Sequence, residues 1–255
     1  MIATSLEKLK RLYEHPSKHS NYQELPSRLR AMLPIKAQIN QPRHDIARLQ
    51  FISENLNVKD TNILDIGANT GFFSFEMLER GASATTLYEG NIAHSDFIRI
   101  CADVLGVADR LTVLNRYYNF KEKPPTFPFD IILLLNVLHH VGDDFSSDIQ
   151  DVNIAHKFIA DGLRHVLSCG KYTIFQLGYC WKGDRNRPLF RDGTKSEQIS
   201  FVEAAISGIG RCVGIGIAEI NDGVVQYVQP NLGNMQRDDN IGEFLNRPLF
   251  IIESM

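Results

Sequence analysis

Leu64-Asp65-Ile66-Gly67-Ala68-Asn69-Thr70-Gly71-Phe72 closes an apolar run, NILDI, and opens a helical pattern, GFFSFEMLERG. A strand that passes through a glycine-bearing turn into a helix is a place where a ligand can lie against the backbone. Gly67 and Gly71 carry no Cβ, so a ligand can approach closely and the turn can use positive φ. Asn69 stands between them, and Asn tolerates the left-handed region better than most side chains. Asp65, at the strand's end, offers a carboxylate to the loop. The spacing reads GxNxG, so neither the dinucleotide fingerprint GxGxxG nor a phosphate-binding GK[ST] is present. The Asp65 carboxylate would also repel a pyrophosphate. It suits a cationic ligand, an ammonium or a sulfonium.

Outward from this loop the pattern repeats: a short apolar run, then a helical stretch. ATTLYE is read as a strand and IAHSDFIRICADVLG as a helix stopped by Gly106. LTVLN, FDIILLLN, Gly170–Leu177, RCVGIGIAEI and RPLFIIE are further strands. Ile149–Leu167 and SEQISFVEAAISGIG are helices, the second with Ser196 as its expected N-cap. Such alternation means a mostly parallel sheet with helices on both faces, whose ligands sit at the carboxyl ends of the strands. Before residue 62 the sequence reads as helices: SLEKLKRLYEH, then SRLRAML between Pro26 and Pro34, then HDIARLQFISENL with Ile46, Leu49, Ile52 and Leu56 on one face. The pentapeptide NRPLF occurs at Asn186–Phe190 and Asn246–Phe250, with unlike flanks that point to coincidence.

The 255 residues, 44% hydrophobic and 22% charged with a net charge of −3, fit one large α/β domain and argue against a protein that coats nucleic acid. No stretch approaches the roughly 18 apolar residues of a membrane span. The opening MIATSLEKLKRLYEH turns charged by Glu7, so a cytoplasmic protein is expected. Cys101, Cys169, Cys180 and Cys212 form no CxxC and sit in apolar settings, as buried free thiols do, and no metal site is expected.

A second carboxylate strengthens the first loop. Glu89 ends the ATTLYE strand 24 residues after Asp65, where an acid can accept both hydroxyls of a ribose. DIGANTGFFS, then YEGN, then FDIILLLNVLHHVGDDF together resemble the class I S-adenosylmethionine (AdoMet)-dependent methyltransferases. The resemblance covers residues 43–255 and leaves 1–42 as an N-terminal helical cap segment. It implies a Rossmann-like seven-stranded sheet of order 3-2-1-4-5-7-6 with the seventh strand antiparallel. It implies that Gly67, Ala68, Asn69 and Gly71 pass beneath AdoMet and that Asp65 helps hold the amino group, often through water. Glu89, beside Gly90, would hold the ribose, and Asn136 would lie near the methionine part and the methyl group. Two departures stand out. Asn69 replaces the family's middle glycine, and LTVLNRYYNF lacks the acid that often binds adenine, leaving Asn115 to accept that hydrogen bond or Tyr117 to stack. The family's helix before the fourth strand is replaced by KEKPPTFP.

Methyl transfer needs an acceptor aligned with the methyl carbon, plus a base where the acceptor is a hydroxyl or a protonated amine. His139 and His140 are the candidate bases. Adjacent side chains diverge, so one at most faces the acceptor. Asp143 and Asp144 are expected to favour a helix N-terminus. The loop after the fifth strand holds the single tryptophan, and residues 181–196 carry five Lys/Arg against Asp184 and Asp192. Trp181 is read there as a stacking platform, with Arg185 or Arg187 meeting an anion. Residues 1–50 hold nine Lys/Arg and four acids, and Lys18–Gln23, with Tyr22, is rich in hydrogen-bonding groups for a cap over the pocket.

The leading expectation is methyl transfer to a small-molecule or glycan-linked acceptor, O-methylation slightly ahead of N-methylation. The fourth motif reads NVLHH, not the [DNS]PP[YF] of many amino-methylating enzymes. A tRNA- or RNA-modifying enzyme is the alternative kept by the basic N-terminus and the Arg-rich loop. A non-catalytic AdoMet-fold module is the third.

Overall fold

The computed structural model describes residues 2–20, 23–33 and 42–255. In chain order the elements are α1 (Ile2–Tyr13), α2 (Ser27–Met32), α3 (Asp45–Asn55), β1 (Asn62–Ile66), α4 (Phe72–Glu79), β2 (Ala84–Tyr88), α5 (Ile92–Leu105) and β3 (Leu111–Leu114). There follow β4 (Phe129–Leu135), α6 (Val152–Leu167), β5 (Gly170–Gln176), α7 (Lys195–Ile206), β6 (Gly210–Asn221), β7 (Val224–Val228), α8 (Gly242–Leu245) and β8 (Leu249–Ser254). The chain divides into two units, one of residues up to Leu49 with Asn57–Tyr118, the other of Gln50–Leu56 with Asn119–Met255.

In the first unit β1 and β3 both pair with β2, all parallel, in the order β3-β2-β1. Strand β1 is buried after its first residue and β2 is largely buried, as strands covered on both faces are, whereas β3 is only half-buried. Leu64 lies opposite Thr86 and Ile66 opposite Tyr88, which brings the loops after β1 and β2 to the same end. Helix α4 is buried from Phe72 to Leu78, and its polar members have partners: Ser74 donates to Asp65, and Glu76 accepts from Ser27 N–H and Arg80. Residues of the expected cap segment lie in this unit, with Leu9, Leu25 and Leu29 in its core.

Helix α3 departs from its sequence pattern. Ile46 is exposed, while Asp45 and Arg48 are buried as an ion pair, with Arg48 over the Phe73 ring. Asp45 pairs with Arg48 Nη2 and also accepts from Glu24 N–H, so charge enters the core where an isoleucine was expected.

In the second unit the order is β4-β5-β8-β6-β7, with β4 and β5 parallel and β8 antiparallel to both β5 and β6. The expected antiparallel last strand is present as β8. Eight strands, not seven, occur among the described residues. The extra one, β7, is the return arm of a hairpin whose turn residues Asp222 and Gly223 both have positive φ, at 52° and 77°. Two expected helix starts also move. Asp151, not Asp143 or Asp144, caps α6 by accepting from Asn153 and Ile154 N–H. Thr194, not Ser196, caps α7 in a capping box with Glu197. The NRPLF copies adopt unlike structures, one in the β5–α7 loop and the other entering β8. All four cysteines are free; Cys101 and Cys169 are buried, Cys180 and Cys212 half-buried. Among the described residues no helix is long and apolar enough to cross a membrane.

Candidate active site

The loop after β1 has the backbone its residues allow. Gly67, Asn69 and Gly71 have φ of 74°, 53° and 81°. Gly67 and Ala68 donate their N–H groups to the Tyr88 carbonyl at 2.9 and 3.2 Å, tying the turn to the end of β2. Gly71 is needed twice: for its φ, and because a Cβ would stand 3.1 Å from Phe75 and 3.2 Å from Ile98.

Two carboxylates flank this turn. Asp65 is buried and accepts from the Ser74 hydroxyl at 2.8 Å. Burial pushes its carboxyl up to about 7; the Ser74 bond opposes that rise and the charge of Glu89 adds to it. Glu89 accepts from Asn69 N–H at 2.7 Å through Oε2 and from Asn91 N–H at 2.8 Å through Oε1. One carboxylate therefore rests on the turn itself, and the other is held partly neutral by burial and repulsion. A cation bound beside Asp65 would favour its ionised form.

Sequence reasoning missed the residues that brace this turn. The Gln23 side-chain carbonyl accepts from Thr70 N–H at 2.9 Å, Thr70 Oγ1 at 2.7 Å and Phe72 N–H at 3.3 Å. It thereby satisfies open donors at the start of α4. The His19 carbonyl accepts from Asn69 Nδ2 at 2.7 Å, and Tyr13 donates its hydroxyl to the Gln23 carbonyl. The hydrogen-bonding richness of Lys18–Gln23 was a signal; its target, nearly fifty residues away, was not readable. Tyr22 lies outside the described residues.

On the far side of β2, Asn115 donates its amide to the carbonyls of Glu89, at 2.9 Å, and Gly90, at 3.4 Å. Tyr117 is half exposed and lies on Gly90, where a Cβ would come within 2.5 Å of its ring. Asp65, Gly67, Ala68, Asn69, Gly71, Glu89, Gly90 and Asn115 thus converge in the first unit.

The second unit gathers the residues that follow β4 and β5. Asn136 has φ of 62°, and both ends of its side-chain amide are committed. Nδ2 donates to Gln176 Oε1 at 2.9 Å, and Oδ1 accepts from Arg247 Nη1 at 2.6 Å. Arg247 is itself held by Glu243 at 2.5 Å. His139 and His140 lie in one 3₁₀ turn, Leu138–His140, with ring centroids 4.2 Å apart. They differ in setting. His139 is buried, and its Nδ1 accepts from Gly178 N–H at 3.3 Å, which puts the proton of the neutral ring on Nε2. The His140 side chain is 18% exposed, with Nδ1 3.7 Å from Asp144 Oδ2.

In the β5–α7 loop Trp181 is buried. Its indole N–H donates to the Val141 carbonyl at 2.6 Å, while Lys182 and Arg187 lie 4.5 and 5.3 Å from its ring centroid. The ring is an anchor inside the loop, with these two cations stacked on it. Lys182 also donates to the Gly142 carbonyl. Arg185 and Arg187 are exposed, the latter 3.6 Å from Asp184.

No family model matches the sequence. Ubiquinone biosynthesis O-methyltransferase of Pseudomonas aeruginosa strain PAO1 is 30% identical over 130 residues, 50% of this chain and 53% of that protein. The chain spans about half the length of the curated relatives it matches. Among solved structures, a Pyrococcus horikoshii protein provisionally described as an RNA methyltransferase superposes with a TM-score of 0.51 at 10% identity, covering 100% of this chain and 98% of that one. The bifunctional kinase-methyltransferase WbdD superposes with a TM-score of 0.52 at 14% identity, covering 99% of this chain and 46% of that one. These likenesses establish the fold.

Proposed function

We propose, from the class I AdoMet-dependent methyltransferase fold of this chain, that it is a methyltransferase using AdoMet and acting on a hydroxyl of a small-molecule or glycan-linked acceptor. The observation that carries the reading is the paired carboxylates, Asp65 and Glu89, on a turn floored by Gly67 and Gly71. The residues fit AdoMet: Asp65 would meet its ammonium, Glu89 its ribose hydroxyls, and Tyr117, lying on Gly90, its flat ring. When bound, AdoMet supplies an activated methyl group with a neutral leaving group.

The chain's own contribution is orientation and proton removal. His140 is the base we favour over His139, because His139 is buried with its Nδ1 engaged by Gly178. With Nδ1 directed at Asp144, His140 Nε2 is the atom that takes the acceptor's proton, in the base–orienter arrangement of a nucleophile-activating pair. The NVLHH form of the segment after β4, without [DNS]PP[YF], favours oxygen over nitrogen as the acceptor atom. The Pseudomonas O-methyltransferase points the same way.

Exposed Arg185 and Arg187 keep an RNA acceptor as the second reading, with binding that weakens steeply as salt rises. Methyl-labelled AdoMet incubated with cell-extract fractions, with and without nuclease, separates the two. Label in nuclease-resistant small or glycan material supports the first; label lost to nuclease supports the second. Absence of any heat with AdoMet in calorimetry on folded protein would leave only a non-catalytic module.

A further inference from the structure

His94 is 3% exposed in α5, and its Nδ1 is buried with no hydrogen-bond partner among the described residues. That atom lies 3.8 Å from Glu89 Oε1. A buried polar atom left unpaired costs stability, and one retained in a fold calls for an explanation.

The surroundings supply one. Glu89 is already fastened at both oxygens, Oε2 by Asn69 N–H and Oε1 by Asn91 N–H. Asn91 is also the N-cap of α5, its side chain accepting from Ala93 and His94 N–H. The cap therefore fixes the first turn of α5 and sets the imidazole beside the carboxylate. Each Glu89 oxygen retains acceptor capacity for a ribose hydroxyl. Glu89 also stands near enough to Asp65 for the two to repel.

We infer that His94 is a positioning residue for Glu89: its Nδ1–H steadies the carboxylate that receives the ribose hydroxyls and closes on Oε1 when they bind. This rests on the AdoMet reading above. It extends that site to a residue whose side chain acts through Glu89 and not on the nucleoside.

The test is calorimetry with adenosylhomocysteine on the full chain. Wild-type protein that folds and fails to bind overturns the AdoMet reading itself. With wild-type binding in hand, His94→Phe should weaken affinity about tenfold, the size of one hydrogen bond to a charged group. His94→Gln, which keeps a donor, should stay within about threefold of wild type on the same scale. His94→Leu gives the same reading should the larger ring disturb α5. The decisive arm is Glu89→Gln combined with His94→Phe: the double variant should bind no more weakly than Glu89→Gln alone. An analogue lacking both ribose hydroxyls should bind wild type and His94→Phe equally. Unchanged affinity in His94→Phe, losses that multiply in the double variant, or an equal loss for the hydroxyl-free analogue would each overturn the inference.

Discussion

The turn after β1 and the loops after β4 and β5 solve the same problem in opposite ways. The first is built from backbone: positive φ at Gly67, Asn69 and Gly71, and N–H groups of Asn69 and Asn91 aimed at Glu89. The second is built from side chains fastened to distant partners, Asn136 to Arg247, His139 to Gly178 and Trp181 to Val141. A backbone-built site tolerates little substitution at its glycines. A side-chain-built site can change its acceptor by changing the pins, which is where one fold acquires different substrates.

The sharpest way to break this comparison is at the histidines. His140→Ala should lower turnover on whichever extract fraction accepts label by about 10²–10⁴-fold while adenosylhomocysteine binding holds, the range of a lost general base. His139→Ala should instead lower stability by about 2 kcal/mol, as a truncated buried side chain does. Equal turnover losses in the two variants would remove the distinction drawn between them.

At the turn, Gly71→Val should abolish measurable nucleoside binding and destabilise the protein by about 2–4 kcal/mol, since it demands φ near 81° of a β-branched residue and drives a Cβ against Phe75 and Ile98. Binding that survives in Gly71→Val would show that the turn does not shape the site.

Asp65 sharpens the comparison through pH. Its carboxyl is raised by burial from 3.8 to about 7. A group raised on folding contributes stability that is complete below its unfolded value and is lost as pH climbs through the folded one. The unliganded protein should therefore lose stability between about pH 4 and 7 from this group. A bound ammonium needs the carboxylate ionised, so adenosylhomocysteine affinity should move the other way, rising up to roughly tenfold per pH unit below about 7 and then levelling. The slope should vanish in Asp65→Asn. A wild-type affinity independent of pH over that window would dissociate Asp65 from the ligand.

The smallest effect belongs to the anchor in the second region. Trp181→Phe removes the hydrogen bond to Val141 and should cost about 1 kcal/mol in chemical unfolding, with nucleoside binding untouched. A loss of turnover larger than the loss of stability would return Trp181 to the acceptor.

How far the sequence could be read follows the same division. Glycine spacing and the position of Glu89 were legible because they are local: the turn needs particular backbone angles, and few residues supply them. The β7 hairpin was equally legible in Asp222-Gly223 before VVQYV and was overlooked. Trp181 sits in a loop of polar and basic residues, where the sequence reading makes it a stacking platform; the structure buries it and bonds it to a carbonyl forty residues earlier in the chain. Arg48 is buried and Ile46 exposed for a comparable reason, since Asp45 pairs with the arginine inside the core.

By itself the sequence determined the β–α alternation, the positive-φ turn after β1 and the carboxylates at the ends of β1 and β2. These depend on periodicity, on positive φ and on a carboxylate at a strand end, all confined to a few consecutive residues. The tertiary structure alone decided that Gln23 braces the turn, that Asn136 is held by Arg247, that His140 and not His139 retains exposure, and that His94 stands at Glu89. Most of those depend on which distant segments meet, and even the shorter-range ones depend on which side of an element faces the core. Both are settled by packing, which no local pattern encodes.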